Sequence, residues 1–225
     1  MSDVILNPKT LSNTITYSND TSLKYFLSDS EFEEKQELNI SLEEGVSLDL
    51  VMIDFSKSDI NLNLTVNLKA NSRVNLSLAS INSLSFNKIY NFSVNHNDVD
   101  SYSRVKMFGI NASSAKLVFL GNSTIVNGAK RSDTRQEGRI TNLSKDSKSE
   151  ASPALIIKEN DVKASHGAAL GAYNPDQIFY LMSRGLSLEE SKKLITYGTL
   201  LPVIEMLKDE KLISQAKEYL EGLSL

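Results

Sequence analysis

Ile60-Asn61-Leu62-Asn63-Leu64-Thr65-Val66-Asn67-Leu68 carries an apolar side chain at every second position and a polar one between. In an extended strand successive side chains point to opposite faces, so this stretch has one apolar face and one Asn/Thr face. A helix would scatter the same leucines around its circumference. The period therefore overrules a leucine-rich composition. The pattern spreads both ways: Leu38, Ile40 and Leu42, then Val46, Leu48 and Leu50 precede it, and Val74, Leu76 and Leu78 follow. Val46, Ile60 and Val74 fall 14 residues apart, a faint internal repeat. Short strands at regular spacing predict a sandwich, a barrel or a solenoid of stacked coils. Asn127-Gly128 is the only two-residue hairpin signal, and antiparallel meanders usually carry more. Together with the Asn/Ser face this favours coils, with a sandwich the close alternative.

Further strands are predicted at Asn91–His96, Ser103–Ile110, Thr124–Val126 and Ala154–Ile157. Lys116–Gly121 is almost continuously apolar and predicts a strand buried on both sides. Asp133–Arg139 lies between these strands, and the polar tract Ser144–Ser152 reads as an exposed loop or insertion. Near the N-terminus, Tyr25-Phe26-Leu27 fits a strand and Ser30–Gln36 a charged connector. The chain divides into an N-terminal segment (1–36), a β core (37–171) and a C-terminal helical domain (172–225).

The helical signals are local and chemical. Asn174 as N-cap, Pro175 at the first helical position and Gln177 after it start one helix, and Gly185 suits its end. Ser187-Leu188-Glu189-Glu190 is a capping box opening a second helix, with Leu194, Ile195 and Leu201 on one face. Pro202 ends or kinks it. Leu212, Ala216 and Leu220 mark a third amphipathic stretch over 211–223. Such helices are expected to cap the open end of a solenoid, to dock a partner protein, or both.

Composition excludes much chemistry. The 225 residues contain no cysteine and two histidines, with a formal charge of −4. Disulfides, thiolate ligands and a thiol nucleophile are absent, and a zinc centre lacks its usual three or four nitrogen or sulfur ligands. The acidic balance argues against nucleic acid; Lys130-Arg131 and Lys145 to Lys148 read as solvated loop charges. No apolar run reaches the ~20 residues of a membrane span, and Met1–Pro8 lacks the features of a signal peptide, so a cytoplasmic location is expected.

Asp161-Val162, Ser165-His166-Gly167-Ala168, Gln177-Ile178-Phe179-Tyr180-Leu181 and Ser183-Arg184-Gly185-Leu186 resemble the C-terminal signature of the SufB/SufD family. Asp133-Thr134-Arg135-Gln136 matches that family's Asp-x-x-Gln element, and the Gly121 to Val126 strand before it also fits. The resemblance covers about residues 90–200, and the chain is more similar to SufD than to SufB. It implies a right-handed parallel β-helix (a β-solenoid) with a small C-terminal helical domain. It also implies a non-catalytic scaffold in an iron–sulfur cluster assembly complex, pairing with a SufB-like subunit or a second copy and docking SufC, an ABC-type ATPase. No tightly bound cofactor is implied, only a transient iron–sulfur cluster in the assembled complex. His166 takes the family's place at the cluster-assembly interface and is its candidate iron or cluster ligand. Two departures stand out: Ala164 occupies a position where the family often has cysteine, so sulfur must come from a partner, and the chain is a short form beside typical members.

Physically, a neutral imidazole binds iron through one nitrogen while the other is oriented by a hydrogen bond, for which Ser165 or a neighbouring carbonyl is the candidate. Gly167 allows close backbone approach. Phe179, Tyr180, Arg184, Leu194 and Leu201 are the candidate ATPase-docking residues. His96 with Asp98 and Asp100 is a weaker metal candidate, read as a surface histidine in a polar turn. Asp133, Arg135 and Gln136 are read as a polar ladder or turn. Glu159 and Asp161 are read as solvated edge charges, although they share a strand face and so leave a β-helix carbohydrate-active enzyme as an alternative. A structural solenoid adaptor without metal chemistry is the other.

Overall fold

The computed structural model describes residues 2–5, 14–27 and 36–223. In chain order the first seven strands are β1 Ser2–Ile5, β2 Thr14–Tyr17, β3 Thr21–Leu27, β4 Gln36–Leu42, β5 Ser47–Asp54, β6 Ile60–Leu68 and β7 Arg73–Asn82. Then come β8 Asn87–His96, β9 Tyr102–Asn111, β10 Lys116–Ile125, β11 Asp133–Asn142, β12 Lys148–Ile157 and β13 Lys163–Ala172. Odd strands form a seven-stranded sheet in the order β1-β3-β5-β7-β9-β11-β13, and even strands a six-stranded sheet running β12-β10-β8-β6-β4-β2. The pairings are parallel, so the chain alternates between two facing sheets and climbs one strand per coil: a β-solenoid. The 14-residue repeat is the step between sheets. A full coil takes 26 residues where Gln36 pairs with Leu62 and 32 where Lys116 pairs with Lys148.

Period two decides which side chains enter the coils. Leu50, Leu76 and Val105 are register partners pointing inward, as are Leu64 and Phe92 in the facing sheet. Each of these side chains is at most 2% exposed, contributing about 1.5–3 kcal/mol of transfer free energy. The outward asparagines form the expected ladder: Asn91 donates to Asn63, Asn95 to Asn67 and Asn122 to Asn91, over 2.9–3.2 Å. Hairpin signals are missing because the coil corners are single left-handed residues, Gly45 at φ +73° and then Asn71, Asp100 and Arg131 in successive coils. These corners stack, with the N–H of Asp100 donating to Lys130 O and that of Arg131 to Asp161 O.

Three helices follow: α1 Pro175–Ser183, α2 Leu188–Ile204 and α3 Glu210–Glu221, the last two joined by a 3-10 turn at Glu205–Leu207. Asn174 caps α1, and the Ser187–Glu190 capping box opens α2. The helices do not seal the solenoid's end. They lie on the flank of the seven-stranded sheet, where Leu200, Val203, Ile204, Leu207, Leu212 and Ala216 bury the outward residues Val51, Ile53, Ala79 and others. Phe55 stacks on Tyr219 with ring centroids 5.1 Å apart. The helical region thus shares a second core with the sheet.

The structure refines three expectations. Strands β1–β3 already belong to the two sheets, upstream of the expected boundary at residue 37. Asp133–Asn142 is a full strand, and the tract from Ser144 supplies the first half of β12 rather than an insertion. Both escaped notice because their inward positions carry Thr134, Gln136, Ser149 and Ala151, which show no apolar alternation. Of the charged connector Ser30–Gln36, residues 30–35 lie outside the described residues and Gln36 opens β4.

Candidate functional site

The last coil ends on β13, whose register sets the site. Leu50, Leu76, Val105, Gln136 and His166 are successive partners along one inward lane. The first four are 2% exposed or less. His166 is exposed, because no further described coil follows. The rest of the terminal coil is open in the same way, with Leu170 at 48%, Ile156 at 49% and Ile157 at 42%. His166 lines a groove of about 420 Å³ with Gln136, Gly138, Ser165, Gly167 and Ala168.

Among the described residues the His166 imidazole makes no hydrogen bond; its neighbour Ser165 faces the other side of the sheet, as alternation requires. Both ring nitrogens remain available. A Cβ at Gly167 would meet nothing within 4 Å, so the backbone there is open to an approaching surface. Among the described residues no group of three or more His, Asp or Glu side chains could hold a metal ion. A metal ion at His166 would therefore need ligands from outside the described residues.

Behind His166 the interior turns polar. His96, expected at the surface, is fully buried at the end of β8 because it occupies the inward phase set by Tyr90, Phe92 and Val94. Its Nδ1 bonds Ser101 Oγ at 2.7 Å and its Nε2 bonds Ser103 Oγ at 2.9 Å. The chain continues from Ser103 to Thr134 at 2.7 Å, and both Thr134 and Gln136 donate to Ser123 Oγ, at 2.9 and 2.6 Å. Burial holds the imidazole neutral by pushing its pKa down to about 4. With both nitrogens engaged and Asp100 paired to Arg131 at 2.7 Å, His96 is no metal site. Gln136 also donates to Ala154 O at 3.1 Å, and Gly121 leaves it room, since a Cβ there would stand 2.5 Å from Gln136 Oε1.

The acidic candidates separate as well. Glu159 accepts from the backbone N–H groups of Gly128, Asn160 and Asp161, and the Gly128 bond above all lowers its pKa. It builds a turn. Asp133 pairs with Arg104 at 2.8 Å, and Arg135 is exposed on the outer face. On the helices, Phe179 is 75%, Tyr180 55% and Leu194 51% exposed, while Leu201 is half-buried. Arg184 lies over the Tyr180 ring at 5.2 Å.

One buried cluster was not anticipated. Lys88 and Asp54, with side chains 0% and 1% exposed, form an ion pair of 2.9 Å inside the coils. Asp54 also accepts from Tyr90 and from the N–H and hydroxyl of Ser56, while Lys88 donates to Ile81 O. The phase Lys88, Tyr90, Phe92, Val94, His96 carried the signal, since it turns both the lysine and the histidine inward.

The family profile described as "SUF system FeS cluster assembly, SufBD core domain" matches residues 28–199. The chain is 39% identical over 113 residues to the iron-sulfur cluster assembly protein SufD of Bacillus subtilis, a match spanning 50% of this chain and 26% of that protein. It is 36% identical over 85 residues to SufD of Escherichia coli, spanning 36% of this chain and 20% of that protein. It is also 37% identical over 107 residues to an iron-sulfur cluster assembly SufBD family protein of Pyrococcus horikoshii, spanning 45% and 23%. The matches thus span about a quarter or less of these relatives' lengths.

Proposed function

The chain belongs to the SufB/SufD family of iron–sulfur cluster assembly proteins, and from this premise we propose that it is a non-catalytic scaffold subunit of such an assembly complex. The carrying observation is the open terminal coil, which exposes His166 on a lane whose earlier members are sealed. An unpaired β13 edge of ten residues offers a row of backbone donors and acceptors to a related subunit, SufB-like or a second copy. At that junction His166 contributes one nitrogen ligand to a nascent cluster, the remaining ligands and the sulfur coming from the partner. The cluster is cargo, not a resident cofactor.

The helices dock the SufC-type ATPase in this reading. Helices α2 and α3 bury one side in the sheet, whereas α1 has no buried residue; Phe179 and Tyr180 on α1 and Leu194 on α2 stay outward, a pattern that fits a helix-face interface. Removing the helices is a poor test, because it would uncover Val51, Ile53 and Phe55. Phe179→Asp with Leu194→Asp is better, since both residues are already exposed. Co-expression with the cognate ATPase should yield a complex that this double variant loses. Unaltered co-purification would remove the docking role.

His166→Ala should leave the thermal midpoint unchanged, as for other exposed substitutions, and lower the cluster reconstituted on the complex. An undiminished iron and sulfide content would eliminate His166 from the site. The adaptor reading differs only in that result. The carbohydrate-enzyme reading loses its acid pair, because the Glu159 carboxylate is engaged by three backbone N–H groups.

A further inference from the structure

A groove of about 570 Å³ runs along the outer face of the seven-stranded sheet, between Tyr102 and the junction of α2 with α3. Its size lies within the range of small-molecule sites. Arg104, Lys106, Arg135 and Lys208 line it, against Asp49 and Glu137. The two acids are occupied. Asp49 accepts from the Asn75 amide at 2.7 Å, and Glu137 lies 3.7 Å from Arg139. Arg104 is fixed in place by its ion pair with Asp133 at 2.8 Å and by the Tyr102 ring, whose centroid is 4.0 Å away. Lys106, Arg135 and Lys208 make no ion pair or side-chain hydrogen bond among the described residues.

The arrangement opposes stability. Arg104 and Arg135 are register partners on adjacent strands, which places their Cα atoms about 4.8 Å apart. Like charges so placed repel. Lys208 adds a third unpaired cation from the far wall, on a backbone in the left-handed region at φ 49°. Four cations line this concave surface against Asp49 and Glu137, the latter the register partner of Lys106, and the excess of positive charge suits a counter-anion.

We propose that this groove binds a small polyanion bearing phosphate or carboxylate groups, with Arg135 and Lys106 as its principal ligands and Arg104 as a preorganised third. Arg104 and Arg135 supply planar donor forks suited to either group. The site is independent of the cluster-assembly reading, although it adjoins His166: Arg135 is the register partner of Ser165, and Arg135 and Glu137 line both grooves.

The test is calorimetric titration of the full chain at low salt with two probes, pyrophosphate and citrate. At least one should bind saturably, and added chloride should weaken it; which one binds identifies the anionic group. Arg135→Gln should weaken binding by about tenfold or more, the loss of one charge-assisted hydrogen bond. The same variant, without anion, should melt no lower than the wild type, because it removes a repulsion. Lys130→Gln, an exposed lysine outside the groove, should bind like the wild type. The proposal is overturned by no saturable binding of either probe, by equal weakening in the two variants, or by a lower melting point for Arg135→Gln alone. A hexaglutamate peptide that binds where both small anions fail would also overturn it, giving the groove to a protein partner.

Discussion

Asp54→Ala should bring the solenoid close to unfolding at neutral pH. The carboxylate accepts four hydrogen bonds, from Lys88, Tyr90 and both donors of Ser56, in a site from which water is excluded. Removing it leaves the Lys88 ammonium with Ile81 O at 2.9 Å as its remaining acceptor. Tyr90 retains Ser80 at 3.0 Å, so the stranded lysine dominates the loss. Removing one partner of a buried pair costs about 3–5 kcal/mol, a large part of the about 5–15 kcal/mol that holds a typical domain together. Urea unfolding followed by circular dichroism measures this as a drop in midpoint at unchanged slope.

The same reasoning predicts two companions. Burial lowers the Lys88 pKa, and Asp54 opposes that shift. Without Asp54 the lysine is depressed further, so the folded variant sheds its proton at lower pH than the unfolded chain does. The unfolded chain then binds more protons, and the variant gains stability relative to the wild type as pH rises toward the ordinary lysine range. Replacing both partners, Asp54→Leu with Lys88→Met, should restore most of the loss, because no charge is left buried. An Asp54→Ala penalty below about 1 kcal/mol, the range of exposed ion pairs, would refute the view that this ion pair is sealed.

Gly109→Ala should lower the melting temperature, because the new Cβ would stand 2.6 Å from Leu117 Cδ2 and 2.8 Å from Phe119 Cζ; overpacking of this kind costs about 1–3 kcal/mol, and an unchanged melting curve would contradict it. His96, held near 4 by burial, binds fewer protons when folded than when unfolded between about pH 4 and its ordinary 6.5, so stability should fall as pH drops through that window. The loss is on the order of 3 kcal/mol, and a His96→Gln variant compared by urea unfolding at each pH should lack this component. Ser187→Ala removes the acceptor for Glu190 N–H at 3.1 Å and should cost about 1 kcal/mol, seen as faster amide exchange in the first turn of α2.

The sequence revealed most where one physical signal dominated. Alternation over residues 38–78 announced paired strands because nearly every inward position there is apolar, Asp54 being an exception. Capping chemistry placed α1 and α2 within a residue or so, because Asn174 and Ser187 act through bonds to residues only two or three positions away. Where interior positions are polar, as at Thr134, Gln136 and Ser149, the period was present but carried no hydropathy. Long-range relations were illegible. Val51 and Ile53 look like inward residues of a doubly buried strand, and only the folded chain reveals that α2 covers them. His166 was singled out by the Ser165–Ala168 motif that carries the family resemblance; its exposure follows from being on the last described coil, which no local pattern encodes. His96 was misjudged from its polar flank Asn95-His96-Asn97-Asp98, although its phase was inward.

The bare margin of β13 also constrains symmetry. All strands of its sheet point the same way, so stacking this end onto the opposite end of a like molecule would continue the parallel ladder without limit, as a filament. Joining end to like end requires a twofold axis instead. The two β13 strands then meet antiparallel, and growth stops at two copies. Pro153 removes one backbone donor from the companion strand β12, so the β13 margin is the better seam. A twofold there would turn the inner lanes of both molecules toward a common vestibule, with one imidazole supplied from each side.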